Sequence, residues 1–333
     1  MKKLLAAILV LAMVFALSAA AFAEGESVKP ITLKYAHNKN EESYTHKAAL
    51  VFQEKCAELS DGAIKIEIYA NSQLGDETEV RDGLIMGTVD MGSVATGNMA
   101  SIANEFTMFD VPYLITTDEQ VNRILLDPES PVRQRLDEGA YKGGIKVLSW
   151  ADAGFRCFAN NVRPLEVPAD LEGVKMRTPS WPMLMAVVEH FKGVPTSMPF
   201  SEVYLALQQG VVDGFEQPLW GIVQQNMYEV VKYVSVNNHL ANDDLYCISA
   251  RLWDSLDEQQ QAILLEAARA ATDWQTNEIR QDTAGFVDFL REQGVEVSDE
   301  LDYDLWSSET AFVLDEYADS IDMETVKLVQ DMK

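Results

Sequence analysis

The chain has 333 residues, with 26 lysines and arginines against 53 acidic side chains, for a formal net charge of −27. So acidic a surface repels phosphate backbones and anionic lipid headgroups, which argues against nucleic-acid binding and peripheral membrane binding; any anionic ligand must be held by a few local arginines. The three cysteines, Cys56, Cys157 and Cys247, are too few and too irregularly spaced for a disulfide framework or a zinc site.

In chain order, Lys2 and Lys3 precede an apolar run from Leu4 to Phe22 that closes in Ala21-Phe22-Ala23. A charged start, an apolar core and a small-residue cleavage box predict a signal peptide over residues 1–23, cut after Ala23, and a periplasmic protein. No later stretch of the sequence approaches the roughly 20 apolar residues of a membrane helix. Cleavage removes two lysines and no acids, leaving 310 residues of net charge −29. That length exceeds a usual single core, so two lobes are expected.

Ile31, Leu33 and Tyr35 alternate with polar neighbours as a strand, and Ala48, Phe52, Cys56 and Leu59 share one face of the helix that follows. Ile64, Ile66 and Ile68 form a second strand, Val80 and Leu84 lie on a second helix, and Val89 to Val94 read as a third strand. This alternation predicts a mostly parallel sheet with helices on its faces, and a ligand site beyond the carboxyl ends of its strands. A turn at Ala153-Gly154, a strand from Phe155 to Ala159 and a helix from Ser201 to Gln209 belong to a second lobe that begins after Trp150. Ser255 and Glu258 have capping-box spacing, and Ile263, Ala267, Ala271 and Trp274 then form the apolar stripe of a long helix ending near Gly294. No low-complexity linker separates the lobes, so crossing strands are expected to join them as a hinge.

Catalytic signatures are missing. The four histidines, His37, His46, His190 and His239, include no pair at His-Glu-x-x-His spacing, and the Gly-x-Ser-x-Gly, phosphate-loop and dinucleotide fingerprints do not occur. A glycosidase-type acid pair is the arrangement that spacing leaves open, but in so acidic a chain a doublet such as Asp243-Asp244 carries no information. No metal and no cofactor is called for.

Several segments, taken in order, resemble the solute-binding proteins of tripartite ATP-independent periplasmic (TRAP) transporters, the DctP-type family. They are Ser72-Gln73-Leu74-Gly75-Asp76, Phe109-Asp110-Val111-Pro112-Tyr113, Leu171 to Arg177, Pro199 to Gly214, Phe215-Glu216-Gln217-Pro218 and Asn238-His239. The resemblance implies an α/β, two-lobed periplasmic-binding-protein-like fold of type II, with mixed sheets, a hinge and a long helix spanning both lobes. It implies no catalysis, a small organic acid as ligand and TRAP membrane permease subunits as partners; a monomer is expected. The expected division assigns residues 24–153 and 243–282 to lobe I, and 154–242 and 283–333 to lobe II.

The same resemblance puts the carboxylate-gripping arginine at Arg177, and a guanidinium suits that task because its planar fork stays charged in a dry cleft. Arg156 matches a second arginine near the ligand, with Glu216 and His239 around it as a buried polar group. Asn38, Asp76, Thr96 and Asn98 match polar groups from the first lobe, and Phe200 an aromatic that packs on the ligand. Gln217 stands where many relatives carry asparagine, one methylene shorter, and Ala95 where the sialic-acid branch has an acid, which speaks against sialic acid. Trp181 and Trp220, just after Arg177 and Gln217, are expected to wall the pocket or stack on a ring. A binding protein feeding a signalling receptor and an exported hydrolase are the alternative readings.

Overall fold

The computed structural model describes residues 27–333, so the expected signal peptide over 1–23 lies outside the described residues. One nine-stranded sheet runs through the molecule in the order β2-β1-β3-β8-β4-β7-β5-β6, with β9 paired to β8. Its first half comprises β1 (Ile31–Ala36), β2 (Ile64–Tyr69) and β3 (Met91–Ala95), linked by helices α1 (Tyr44–Leu59) and α2 (Glu77–Met86). After helix α3 (Pro131–Lys142) come β4 (Ile145–Asn160), β5 (Lys175–Thr178), α4 (Pro182–His190), β6 (Val194–Ser197), α5 (Val203–Gln208), β7 (Gly214–Pro218), α6 (Leu219–Gln224) and β8 (Tyr233–Ser249). The chain closes with α7 (Glu258–Glu292), β9 (Glu296–Ser298), α8 (Tyr303–Thr310) and α9 (Met323–Asp331).

The predicted parallel arrangement is found only at the two flanks. Strands β2, β1 and β3 are mutually parallel, as are β7, β5 and β6, while the centre, β3-β8-β4-β7, is antiparallel. The sheet is therefore mixed, because two long strands, β4 and β8, run antiparallel to each other through both halves.

At Ala153-Gly154 the expected turn is absent: β4 is one continuous strand of 16 residues. Gly154 has φ +78°, and the pairing with β8 slips between Asp152 and Phe155, which is what a β-bulge does. Turn chemistry in the sequence marked a bend within a strand, and pairing on both sides kept the strand going. This bulge faces residues Ala241 to Asp243 of β8.

Helix α7 spans both halves, with 35 residues and hence about 50 Å of length. Ile263, Leu264, Ala267, Ala268 and Ala271 pack with Leu33, Phe52, Ile66 and Tyr246 of the first half, whereas Ile279, Phe286 and Leu290 pack with Phe215, Leu219 and Val234 of the second. Its cap is not the expected Ser255/Glu258 pair. Asp257 accepts from the backbone N–H of Gln260, Gln260 Oε1 accepts from that of Asp257, and Ser255 Oγ instead donates to the carbonyl of Leu252. The box motif recurs two residues along the chain, with Asp and Gln in place of Ser and Glu.

Residues 283–333, expected as one block in the second lobe, divide. Trp306 of α8 is buried against Phe158 and Phe191 in the second half, but α9 returns to α3, where Arg135 pairs with Asp322 at 2.8 Å. All three cysteines are buried and free. Among the described residues no helix is long and apolar enough to cross a membrane, and no group of His, Cys, Asp and Glu is arranged to hold a metal ion.

Candidate ligand-binding site

A cavity of about 220 Å³ lies between the halves, where the carboxyl ends of the parallel strands meet. Arg177 and Gln217 each lie one residue before the end of β5 and β7, Asn38 follows β1 and Asn98 follows β3, so four strand ends converge on it. From the first half come Asn38, Lys39, Asp76, Glu77, Ala95 and Asn98; from the second come Arg177, Trp181, Phe200, Gln217 and Trp220. Arg156, Asn242 and Asp244 rise from β4 and β8 at its base.

The two arginines differ in how fully they are engaged. Arg156 grips Glu216 with both Nε and Nη2, donates from Nη1 to Asn242 Oδ1 at 2.6 Å and from Nη2 to Gln217 Oε1 at 3.0 Å, and stacks 4.8 Å from the Trp181 ring. Burial by itself raises the Glu216 carboxyl, but the Arg156 charge and its hydrogen bonds hold it down at about 2. The pair is thus ionised and closed on itself.

Arg177 has no such partner. Its Nε and Nη2 donate to the carbonyl of Met198 at 3.0 and 2.8 Å, and its side chain pairs with no carboxylate among the described residues. With 4% of its surface exposed, the guanidinium is pushed down to about 10, chiefly by burial, and stays protonated at neutral pH. Its Nη1 edge is left for a ligand. The Phe200 ring lies 5.7 Å from the Arg177 guanidinium and 4.8 Å from Lys39 Nζ, so one aromatic ring serves a cation from each half.

Across the cleft, Asp76 caps α2 and takes hydrogen bonds from Asn38 Nδ2 and the Glu77 backbone, while Oδ2 has only long contacts, 3.4 Å, to Ser201 of the opposite half. Burial raises its carboxyl, but those donors and Lys39 outweigh that and leave it below its usual value. Lys39 pairs with Glu77 at 2.9 Å, and Glu77 also takes Asn98 Nδ2. Asp244 accepts from Gln275 and Thr45 on Oδ2 only; burial is the main cause that raises it.

Hydrogen bonds join the two halves. Trp181 Nε1 donates to Asn98 Oδ1 at 3.1 Å, Asn40 Nδ2 to the carbonyl of Gln224 at 2.7 Å, and Tyr44 N to Gln224 Oε1 at 2.9 Å. The Trp181 indole lies flat against Gly97, where any Cβ would stand 2.5 Å from Cε2. Trp220 forms the inner wall, anchored by its Nε1 on the carbonyl of Ala153 at 2.8 Å.

Of the expected site residues, Arg177, Arg156, Gln217, Asn38, Asp76, Asn98, Phe200, Trp181 and Trp220 line the cavity. Thr96 does not: it is buried in the tight 3₁₀ turn Thr96–Met99, in which residues two apart point in different directions, so Asn98 faces the cleft and Thr96 the interior. Glu216 and His239 sit behind Arg156. His239 Nε2 is 3.7 Å from Glu216, beyond hydrogen-bond reach, and its ring stacks on Phe158 at 4.5 Å; burial lowers its pKa, so it is neutral at pH 7. Lys39, Glu77, Asn242 and Asp244 were not foreseen. The alternation of β8, which sends Asn242 and Asp244 one way and Asp243 the other, could have revealed two of them.

The sequence matches the family described as DctP, bacterial extracellular solute-binding protein, family 7, over residues 35–320. It is 30% identical over 323 residues to the C4-dicarboxylate-binding periplasmic protein of Rhodobacter capsulatus, covering 96% of this chain and 94% of that one. The fold superimposes on the sugar acid binding protein of Advenella mimigardefordensis in complex with galactonate, with a TM-score of 0.86, 26% identity, and 91% and 98% of the two chains covered. A TRAP periplasmic solute-binding protein of Bordetella bronchispeptica gives a TM-score of 0.84, 31% identity and coverage of 91% and 99%.

Proposed function

The chain belongs to the bacterial extracellular solute-binding protein family 7, the DctP family, and from that premise we propose that it is the extracytoplasmic receptor of a TRAP transporter, capturing one small organic acid on Arg177. The observation that carries this reading is the contrast between the two arginines. Arg156 is neutralised by Glu216, whereas Arg177 is equally buried, keeps a free Nη1 edge and has no counter-ion among the described residues. A buried charge without a partner is costly, and a ligand carboxylate supplies the missing half of a bidentate pair.

Gln217 supports the same reading. Its Oε1 is occupied by Arg156, which leaves Nε2 to donate to a second carboxylate oxygen. The acid enters an open cleft, the two lobes close about the β4 bulge at Asp152–Gly154 and the facing stretch of β8, and the closed receptor hands its ligand to the TRAP membrane permease as a monomer. The lobes of this proposal follow the division at residues 153/154 and 242/243, with the protein exported to the periplasm after loss of residues 1–23.

A thermal-shift screen over organic acids tests the assignment. A ligand at a hundredfold excess over Kd adds about 2.7 kcal/mol to the folded state. Arg177→Ala is expected to keep a native circular-dichroism spectrum and lose that gain; a variant that retains it refutes the role of Arg177.

A further inference from the structure

The cavity is charged on both walls, and the arrangement restricts what can follow the carboxylate. Resting on the receptor reading above, we infer that the ligand is a polyhydroxylated monocarboxylate, with its single acid group on Arg177 and its hydroxyls along the opposite wall, donating to Asp76 and Asp244 and accepting from Lys39.

Asp244 is fully buried at the base of the cleft, and only its Oδ2 is used by the protein; Oδ1 has no hydrogen bond among the described residues. Asp76 Oδ2 likewise has only the 3.4 Å contacts to Ser201. Two carboxylate oxygens that the protein leaves largely unbonded therefore belong to residues lining the cavity. A second carboxylate there would meet both acids, and Lys39, the cation of the same half, is already paired with Glu77 at 2.9 Å. A dicarboxylate is thus repelled.

An ammonium group would suit the two aspartates but not Lys39, whose buried Nζ shares the same wall. A cationic ligand end would be pressed against a like charge, and it has no lone pair to accept the Lys39 proton. A hydroxyl avoids both conflicts because it is neutral and acts as donor and acceptor at once. With about 220 Å³, the cavity is below the roughly 300–1,000 Å³ of sites for drug-sized ligands, which limits the compound to a short chain or a single ring.

Titration calorimetry on the mature protein with acids of matched length tests this. The panel holds epimeric hexonates and hexuronates, hexanoate as the hydroxyl-free control, adipate as the dicarboxylate and 6-aminohexanoate as the zwitterion. At least one polyhydroxy acid is expected to bind roughly 100-fold or more tightly than each of the other three, since a site built to bond hydroxyls rejects analogues lacking them. Adipate or 6-aminohexanoate binding as tightly as every polyhydroxy acid, or hexanoate binding within about tenfold of the best of them, overturns the inference and leaves the receptor reading standing. Asp244→Asn, with wild-type melting behaviour, is expected to weaken the polyhydroxy acid by about tenfold while leaving adipate no weaker; an equal loss for both, or none for either, also overturns it. Undiminished binding in Arg177→Ala, or no binding by any carboxylate, instead brings down the receptor reading and this inference with it.

Discussion

Gly97→Ala isolates closure from folding. Gly97 belongs to the first half and Trp181 to the second, and an added Cβ would stand 2.5 Å from Trp181 Cε2, almost 1 Å inside ordinary contact. The three atoms nearest that methyl group are all in the Trp181 indole, so the first half by itself offers no closer obstruction. The open protein should therefore fold as before. In the closed form the indole must retreat, at an overpacking cost of about 1–3 kcal/mol, and its bond from Nε1 to Asn98 is lost, for about another 1 kcal/mol. Together these remove about 2–4 kcal/mol from the closed state, so Kd should rise roughly 30- to 900-fold. Titration calorimetry reads the affinity, and thermal denaturation without ligand reads the fold. An unchanged Kd refutes the claim that this Trp181–Gly97 contact belongs to the ligand-bound form, and a large loss of unliganded stability refutes the claim that the contact is absent from the open form.

Other perturbations act on buried charges and thiols. Glu216→Gln should destabilise the fold by about 3–5 kcal/mol in urea denaturation at pH 7, because Arg156 keeps its buried charge and loses its counter-ion; a loss under 1 kcal/mol contradicts the pairing. The Glu216 carboxyl is depressed in the folded state from 4.5 to about 2, so its contribution is complete above about pH 4.5 and is lost as pH falls toward 2, a decline the glutamine variant should lack. Asp243 has the opposite sign: fully buried with neither oxygen hydrogen-bonded, it is raised well above 3.8 by burial and then by Asp152 and Asp244, with Arg280 and Arg133 opposing. Its contribution is full below about pH 3.8 and falls as pH rises, so Asp243→Asn should be neutral near pH 3 and stabilising by about 1 kcal/mol or more at pH 8; a flat difference between the two proteins across that range contradicts it. Burial pushes the Cys56 and Cys157 thiols up to about 12 and Cys247 higher still, so a thiol reagent should label none in the native protein and all three after unfolding; rapid native labelling would show that one is accessible.

Much of the first half was legible in the sequence, because Ile31 to Tyr35 and Ile64 to Ile68 alternate with period two and Ala48 to Leu59 with the helical period, patterns that burial on one face imposes directly. Beyond local periodicity, the motif resemblance located Arg177, Arg156, Gln217 and Phe200. What local signals misjudged was continuity. The turn residues at Ala153-Gly154 looked like the end of an element, yet pairing to β8 on one side and β7 on the other carries β4 through them as a bulge.

The sequence by itself determined that this is an acidic α/β protein without the common catalytic fingerprints, and its motif resemblance singled out an arginine suited to an acid ligand. The tertiary structure decided which charges are free. Nothing local distinguishes Arg156 from Arg177, or Asp243 from Asp244: Arg156 is neutralised because β7 lays Glu216 beside it, and Asp244 faces the cleft because β8 alternates its side chains across a sheet assembled from both halves. Pairing of charge is a long-range property, set by strands that meet only when the chain is folded, and it leaves Arg177 as the buried cation of the cleft without a counter-ion among the described residues.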